Sequence, residues 1–163
     1  MPATFNADEI LEMAEQIEKN GAKFYRQAAQ KTADGQTKKM LLDMAAMEDG
    51  HLKIYQEIRK GLNAWEKEEI VFDPDNQSVK YLQAMAEARG YEGKITPTKE
   101  LTGSETPKEI LEIALNAEKE SALFYLGLKE LVPERAGREK IENIILEELS
   151  HITTLLQWLK ALN

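Results

Sequence analysis

Apolar side chains recur every three or four residues through four long stretches of the chain, the period of a helix with one buried face. The first stretch, about 7–30, aligns Leu11, Ala14, Gly21, Tyr25 and Ala28, with Asn6 or Asp8 placed to cap it. The second, about 36–60, puts Leu41, Met44, Ala45 and Leu52 on one face and is expected to stop before Gly61. Thr106-Pro107 opens the third, a cap followed by proline at the first helical position, and the stretch continues to about 131. The fourth begins near Arg135 to Arg138 and runs to the terminus, with Ile141, Ile144, Ile145, Ile152, Leu155, Trp158 and Leu159 inward.

Connection lengths suggest how the helices are arranged. Short turns around ADGQ and VPERAG join the first helix to the second and the third to the fourth, so each pair reads as an antiparallel hairpin. Between the pairs lie residues 61–107, long enough to cross the bundle from end to end, with one short helix expected in DNQSVKYLQAMAEA before Gly90. The predicted fold is all-α: a single-domain four-helix bundle over 1–163, two hairpins joined by a long crossover.

The hairpins repeat one another. Residues 9–25 (EILEMAEQIEKNGAKFY) laid over 109–125 (EILEIALNAEKESALFY) agree at ten of seventeen positions, an offset of 100. The same offset places Glu48 on Glu148 and His51 on His151, the chain's two histidines. Around them, 41–58 and 141–158 share apolar periodicity and little identity, as expected if a helix pair was duplicated and diverged.

That offset brings the chemistry into view. Residues three apart on a helix lie about 4.5 Å apart in height and on one side, so both can reach a common point. Glu48/His51 and Glu148/His151 are thus two E-x-x-H units set among apolar neighbours. Glu18 and Glu118 occupy the inner stripe of the other two helices, between Ala14 and Gly21 and between Ala114 and Ser121. One inward glutamate from each of two helices, plus E-x-x-H from each of the others, is the donor set of a dimetal site in a helical bundle. Glu147 also faces His151 at i, i+4, but its repeat counterpart is Met47, which favours Glu148. Glu15 is a candidate for one more carboxylate, although Leu115 stands at its counterpart; Glu12 and Glu112 lie off the stripe and are expected in solvent.

Charge then calls for metal. Four ionised carboxylates in a bundle interior would cost several kcal/mol each without compensation. Two divalent cations bring four glutamates and two neutral imidazoles to electroneutrality. Oxygen and nitrogen donors without sulfur suit iron or manganese, with zinc or cobalt able to substitute. Glycine and serine at 21 and 121, one turn beyond each inward glutamate, leave room for a small ligand such as dioxygen or peroxide. Tyr25 and Tyr125 are expected as core aromatics whose hydroxyls bond near the cluster.

Composition narrows the alternatives. The chain has no cysteine, which removes disulfides, thiolate zinc sites and iron–sulfur clusters. A net charge of −8 without a basic stripe argues against nucleic acid. No apolar run approaches the ~20 residues that span a bilayer, and MPATFNADEILEMAEQ lacks a signal-peptide pattern, so a cytoplasmic protein without membrane association is expected.

Glu18 with Tyr25, Glu118 with Tyr125, and the two E-x-x-H units resemble the ferritin-like superfamily of diiron-carboxylate proteins, the rubrerythrin branch above all. The resemblance covers about 7–60 and 106–162. It implies two iron ions bridged by Glu48 and Glu148, with His51 and His151 giving one imidazole to each and Glu18 and Glu118 as terminal carboxylates. It also implies a nonheme oxidoreductase acting on peroxide or dioxygen, working as a homodimer. The chain departs from rubrerythrin in lacking the cysteine-rich rubredoxin domain, so electrons are expected from an external donor protein. Ser121 stands where rubrerythrin carries a further glutamate, and the chain reaches Asn163 without the extra short helix of cage-forming ferritins. Two other expectations remain open: iron oxidation coupled to storage or delivery, and a metal-stabilised scaffold that binds a partner through 61–107.

Overall fold

A computed structural model of the chain describes residues 7–68, 80, 101–132 and 134–162. Helix α1 spans Ala7–Lys31 and α2 spans Gly35–Gly61. Asp34 caps α2, its carboxylate accepting from the Thr37 backbone N–H at 2.7 Å. A short helix α3, Ala64–Glu68, follows. Helix α4 covers Pro107–Leu131 behind a complete capping box: Thr106 Oγ1 accepts from the Glu109 N–H, and the Glu109 carboxylate accepts from the Thr106 N–H. A 3₁₀ turn at Glu134–Ala136 leads into α5, Arg138–Ala161.

The four long helices lie where the apolar period places them, and the all-α bundle stands. Among the described residues no helix is long and apolar enough to cross a membrane. Helix α2 includes Gly61 rather than stopping before it. Asp8, one of two cap candidates, lies inside α1 and accepts two hydrogen bonds from Arg59 at 2.9 Å. Asn6 and, apart from Lys80, the helix expected over 75–88 fall outside the described residues, and α3 was not anticipated. Trp158, Leu159 and Ile152 are half-buried, because they pack on the rim of the core at the end of α5.

Contacts across the helices set their directions. Asp8 meets Arg59 and Arg26 meets Asp49, so α1 and α2 are antiparallel. Lys129 meets Glu142, making α4 and α5 antiparallel. Tyr25 reaches Glu118 while Tyr125 reaches Glu18, so α1 also opposes α4. Helices α2 and α4 therefore run the same way, which requires the connection between them to span the bundle's length.

Side chains of all four long helices form two apolar clusters, one toward each end. The first gathers Leu11, Ala14, Tyr55, Ile58, Tyr125, Leu128, Ile141 and Ile144 among others. The second gathers Phe24, Tyr25, Ala28, Leu41, Met44, Leu111, Ala114 and Leu155 among others. Sandwiched between them is a buried polar layer, and the repeat relates one apolar half to the other.

Gly137 makes the sharp turn into α5. Its φ of 120° is a conformation side chains rarely adopt, and an added Cβ would come within 3.0 Å of Ile58 Cγ1. Gly50, inside α2, has nothing within 4 Å of such a Cβ. Gly137→Ala is therefore expected to cost about 1–3 kcal/mol, whereas Gly50→Ala should gain about 0.5–1 kcal/mol through helix propensity. Denaturant midpoints of the two variants check both signs.

Candidate metal centre

Seven polar or charged side chains are buried among the described residues, and six of them form the layer between the apolar clusters: Glu18, Glu48, His51, Glu118, Glu148 and His151, each no more than 5% exposed. Helix α1 supplies Glu18, α2 supplies Glu48 and His51, α4 supplies Glu118, and α5 supplies Glu148 and His151. The i, i+3 spacing turns each glutamate and its histidine to the same side of their helix.

Both imidazoles present Nδ1 to the centre. His51 Nδ1 lies 3.1 Å from Glu148 Oε1, 3.4 Å from Glu18 Oε2 and 3.9 Å from Glu48 Oε2. His151 Nδ1 lies 3.4 Å from Glu118 Oε2 and 3.5 Å from Glu48 Oε1. The donors fall into two groups able to hold a cation, Glu18–Glu48–His51–Glu148 and Glu48–Glu118–Glu148–His151, with the donor atoms of each within 4.8 Å of one another. Glu48 and Glu148 belong to both. The structure thus brings together all six residues singled out in the sequence.

Several of these atoms have no hydrogen-bond partner: Glu18 Oε2, Glu48 Oε1, His51 Nδ1 and both oxygens of Glu148. Buried acceptors are ordinarily satisfied, and leaving one unpaired costs about 1–3 kcal/mol. Here the unpaired atoms converge on one place. The residues present therefore fit a pair of cations, which would satisfy them together.

Protons are the alternative to cations. Burial pushes the Glu18 carboxyl up to about 7, against hydrogen bonds from Glu48 and Tyr125 that lower it. Burial, and then the neighbouring carboxylates, hold Glu48 and Glu148 well above the ordinary carboxylate range. Burial works the same way on Glu118, but the close approach of Glu148 and the contacts with His151 and Tyr25 outweigh it and bring that group down. Burial disfavours a charged His151, yet Glu118 and Glu48 push its pKa up. Three protonated carboxyls and a Glu118–His151 ion pair can coexist in this interior; four carboxylates cannot.

Two tyrosines cross the bundle to hold the outer carboxylates. Tyr25 of α1 donates to Glu118 of α4, and Tyr125 of α4 donates to Glu18 of α1, as the repeat requires. A third, Tyr55, packs on Tyr125 with ring centroids 5.1 Å apart and keeps its hydroxyl unpaired beside the cluster. Its repeat counterpart is Leu155, so the repeat gave no hint of it. Glu15 takes no part in the cluster: Arg59 Nη1 donates to it at 3.4 Å, and Arg59 also binds exposed Glu12. Between α1 and α4 a cavity of about 20 Å³ reaches the site, lined by Ile17, Gly21, Phe24, Tyr25, Glu48, Ala117, Glu118 and Ser121. It holds about one water-sized molecule.

Two hairpins joined lengthwise around a Glu/His pocket able to hold two cations define a ferritin-like bundle. The family model for rubrerythrin matches residues 9–102, covering α1, α2 and part of the crossover. The chain belongs to the rubrerythrin family. A crystal structure of a Thermotoga maritima protein, described as a candidate ferritin-like diiron-carboxylate protein, has the same fold: TM-score 0.76 at 22% identity, over 100% of both chains. No curated protein matches the chain by sequence.

The raised carboxyl groups make stability pH-dependent. A group more basic when folded than when unfolded stabilises the fold only while protonated, so that stability is present below the unfolded pKa of 4.5 and lost as pH rises toward about 7 for Glu18. Glu48, Glu148 and His151 share the sign; Glu118 has the opposite sign and acts below 4.5. For Glu18 alone the loss is on the order of 3 kcal/mol. The Tm of the chelator-treated chain should fall between pH 4.5 and about 7, whereas a metal-loaded sample should not follow it. A Tm that climbs through this window in the treated chain would contradict the proton account.

Proposed function

We propose that the chain is a nonheme diiron oxidoreductase that reduces peroxide or dioxygen with electrons from an external donor protein. The observation that carries this is the pair of four-donor groups sharing Glu48 and Glu148 beside a cavity too small for an organic substrate. Oxygen and imidazole donors favour iron or manganese over metals that seek sulfur. Family membership, and the diiron-carboxylate description of the Thermotoga maritima protein, support iron.

A ferrous pair held there supplies two electrons, which with two protons convert hydrogen peroxide to two molecules of water. The remaining work falls to the chain. Glu18, Glu48, Glu118, Glu148, His51 and His151 would hold the ions, and the carboxyls among them release protons as the ions enter. Tyr25 and Tyr125 fix the orientation of Glu118 and Glu18 from across the bundle. Burial holds both phenols well above their usual pKa, so they remain donors at neutral pH. Apolar clusters on either side keep bulk water out, and Gly21 with Ser121 leaves the narrow approach open.

Anaerobic loading with ferrous iron followed by peroxide tests this. One equivalent of peroxide should oxidise two ferrous ions per chain and produce a ferric absorption band. Glu48→Ala should lower the stoichiometry to one ion or none, since it removes a donor from both groups. A fully loaded chain whose spectrum responds to neither peroxide nor dioxygen overturns redox turnover.

We also propose that it acts as a homodimer rather than a storage shell. Leu123, Leu126, Leu146 and Leu149 are each 44–64% exposed on the α4–α5 hairpin. Their repeat counterparts on α1–α2 are Lys23, Arg26, Ala46 and Asp49, with Arg26 and Asp49 ion-paired. Leucine thus stands where the other hairpin carries three charged residues and an alanine, which gives two chains of net charge −8 a more apolar surface on which to meet. Light scattering should give a dimer mass, and Leu146→Glu with Leu149→Glu should give monomer. A closed multi-subunit shell would instead favour iron oxidation coupled to storage.

A further inference from the structure

The two cation positions differ in what stands behind each histidine. Both imidazoles turn Nδ1 to the centre and Nε2 outward, across the α2–α5 contact. His51 Nε2 lies 2.6 Å from Glu147 Oε2, a carboxylate on α5. His151 Nε2 lies 3.3 Å from Met47 Sδ, a thioether on α2. Positions 47 and 147 are equivalent in the repeat, each immediately before a glutamate shared by both donor groups. Divergence of the duplicated hairpins has therefore left a carboxylate behind one ring and a sulfur behind the other.

A carboxylate accepting the outer N–H of an imidazole does two things for a metal ligand. It fixes the tautomer that leaves Nδ1 with its lone pair free, and it pushes electron density into the ring. A thioether is a weak, uncharged acceptor and does little of either. Glu147 is about half exposed at its side chain, so long-range Coulomb effects are screened and the direct hydrogen bond is what counts.

We infer that Glu147 is a positioning residue for His51, and that it makes the Glu18–Glu48–His51–Glu148 position the tighter of the two, the first to fill. Met47 leaves the Glu48–Glu118–Glu148–His151 position the weaker, more readily emptied and refilled. The inference rests on the ligand assignment proposed above. It gives the dimetal centre one fixed and one exchangeable ion, a division that the six donors, symmetric under the repeat, do not contain.

Cobalt(II) titration of the full chain, followed by visible absorption and calorimetry, tests it. Repulsion between two dications separates the binding steps by itself, so the variants decide. Glu147→Met copies the His151 side and should weaken the first step by ~10- to 100-fold, closing the gap to the second. Met47→Glu copies the His51 side and should tighten the second step by a comparable factor; it also serves if Glu147→Met folds poorly. In the loaded chain, the paramagnetically shifted Nε2–H proton of His51 should exchange slowly with water, and Glu147→Met should abolish that protection. Binding constants that both variants leave within about threefold of the unaltered chain overturn the inference and leave the ligand assignment standing. Fewer than two cobalt ions bound by the unaltered chain overturns both.

Discussion

Everything in this bundle is arranged around four carboxyl groups that cannot all be ionised together in a dry interior. Water would relieve them, and the two apolar clusters exclude it. Burial and mutual repulsion push Glu18, Glu48 and Glu148 upward, so protons relieve part of the charge, while contacts with Glu148, His151 and Tyr25 bring Glu118 down. Two divalent cations relieve them fully and also satisfy the unpaired oxygens and the Nδ1 of His51. On the ligand assignment proposed above, the same buried carboxyls that strain the metal-free interior are what would draw cations into it.

The repeat explains how a small fold builds such a centre. Each hairpin contributes one glutamate from its first helix and an E-x-x-H from its second, so that neither hairpin holds a complete set. The tyrosines make the same point through hydrogen bonds, since Tyr25 serves Glu118 and Tyr125 serves Glu18. The site forms only when α1 faces α4 in antiparallel sense, which the long crossover permits. Divergence then acted outside the donors. The two hairpins now differ in leucine against charge on one outer face, in tyrosine against leucine at 55 and 155, and in methionine against glutamate at 47 and 147.

Much of this could be read from the chain alone, for identifiable reasons. Helix period and caps depend on neighbours within a few residues, so the Thr106-Pro107 start and the inward stripes are local signals. The six donors were legible because the offset of 100 pairs them and because polar groups on an apolar stripe need a partner. Contacts that depend on the lateral register of packed helices were not legible. Glu147 looked like a rival to Glu148 within its own helix, while its real neighbour is His51 on α2. Met47 entered only as the repeat counterpart of Glu147, and Tyr55 had no repeat to mark it. Glu15 looked available to the centre until Arg59, 44 positions away, claimed it.

The central claim is that cations, and not water or protons alone, complete this interior in the protein as its host makes it. Crystals of chain purified from that host, measured on either side of metal absorption edges, test the claim most directly. The account predicts two anomalous peaks of one element, about 3.5–4 Å apart, between Glu48 and Glu148 with one imidazole beside each. A map with no peak there, or one showing these carboxylates turned out to bulk solvent, would contradict it.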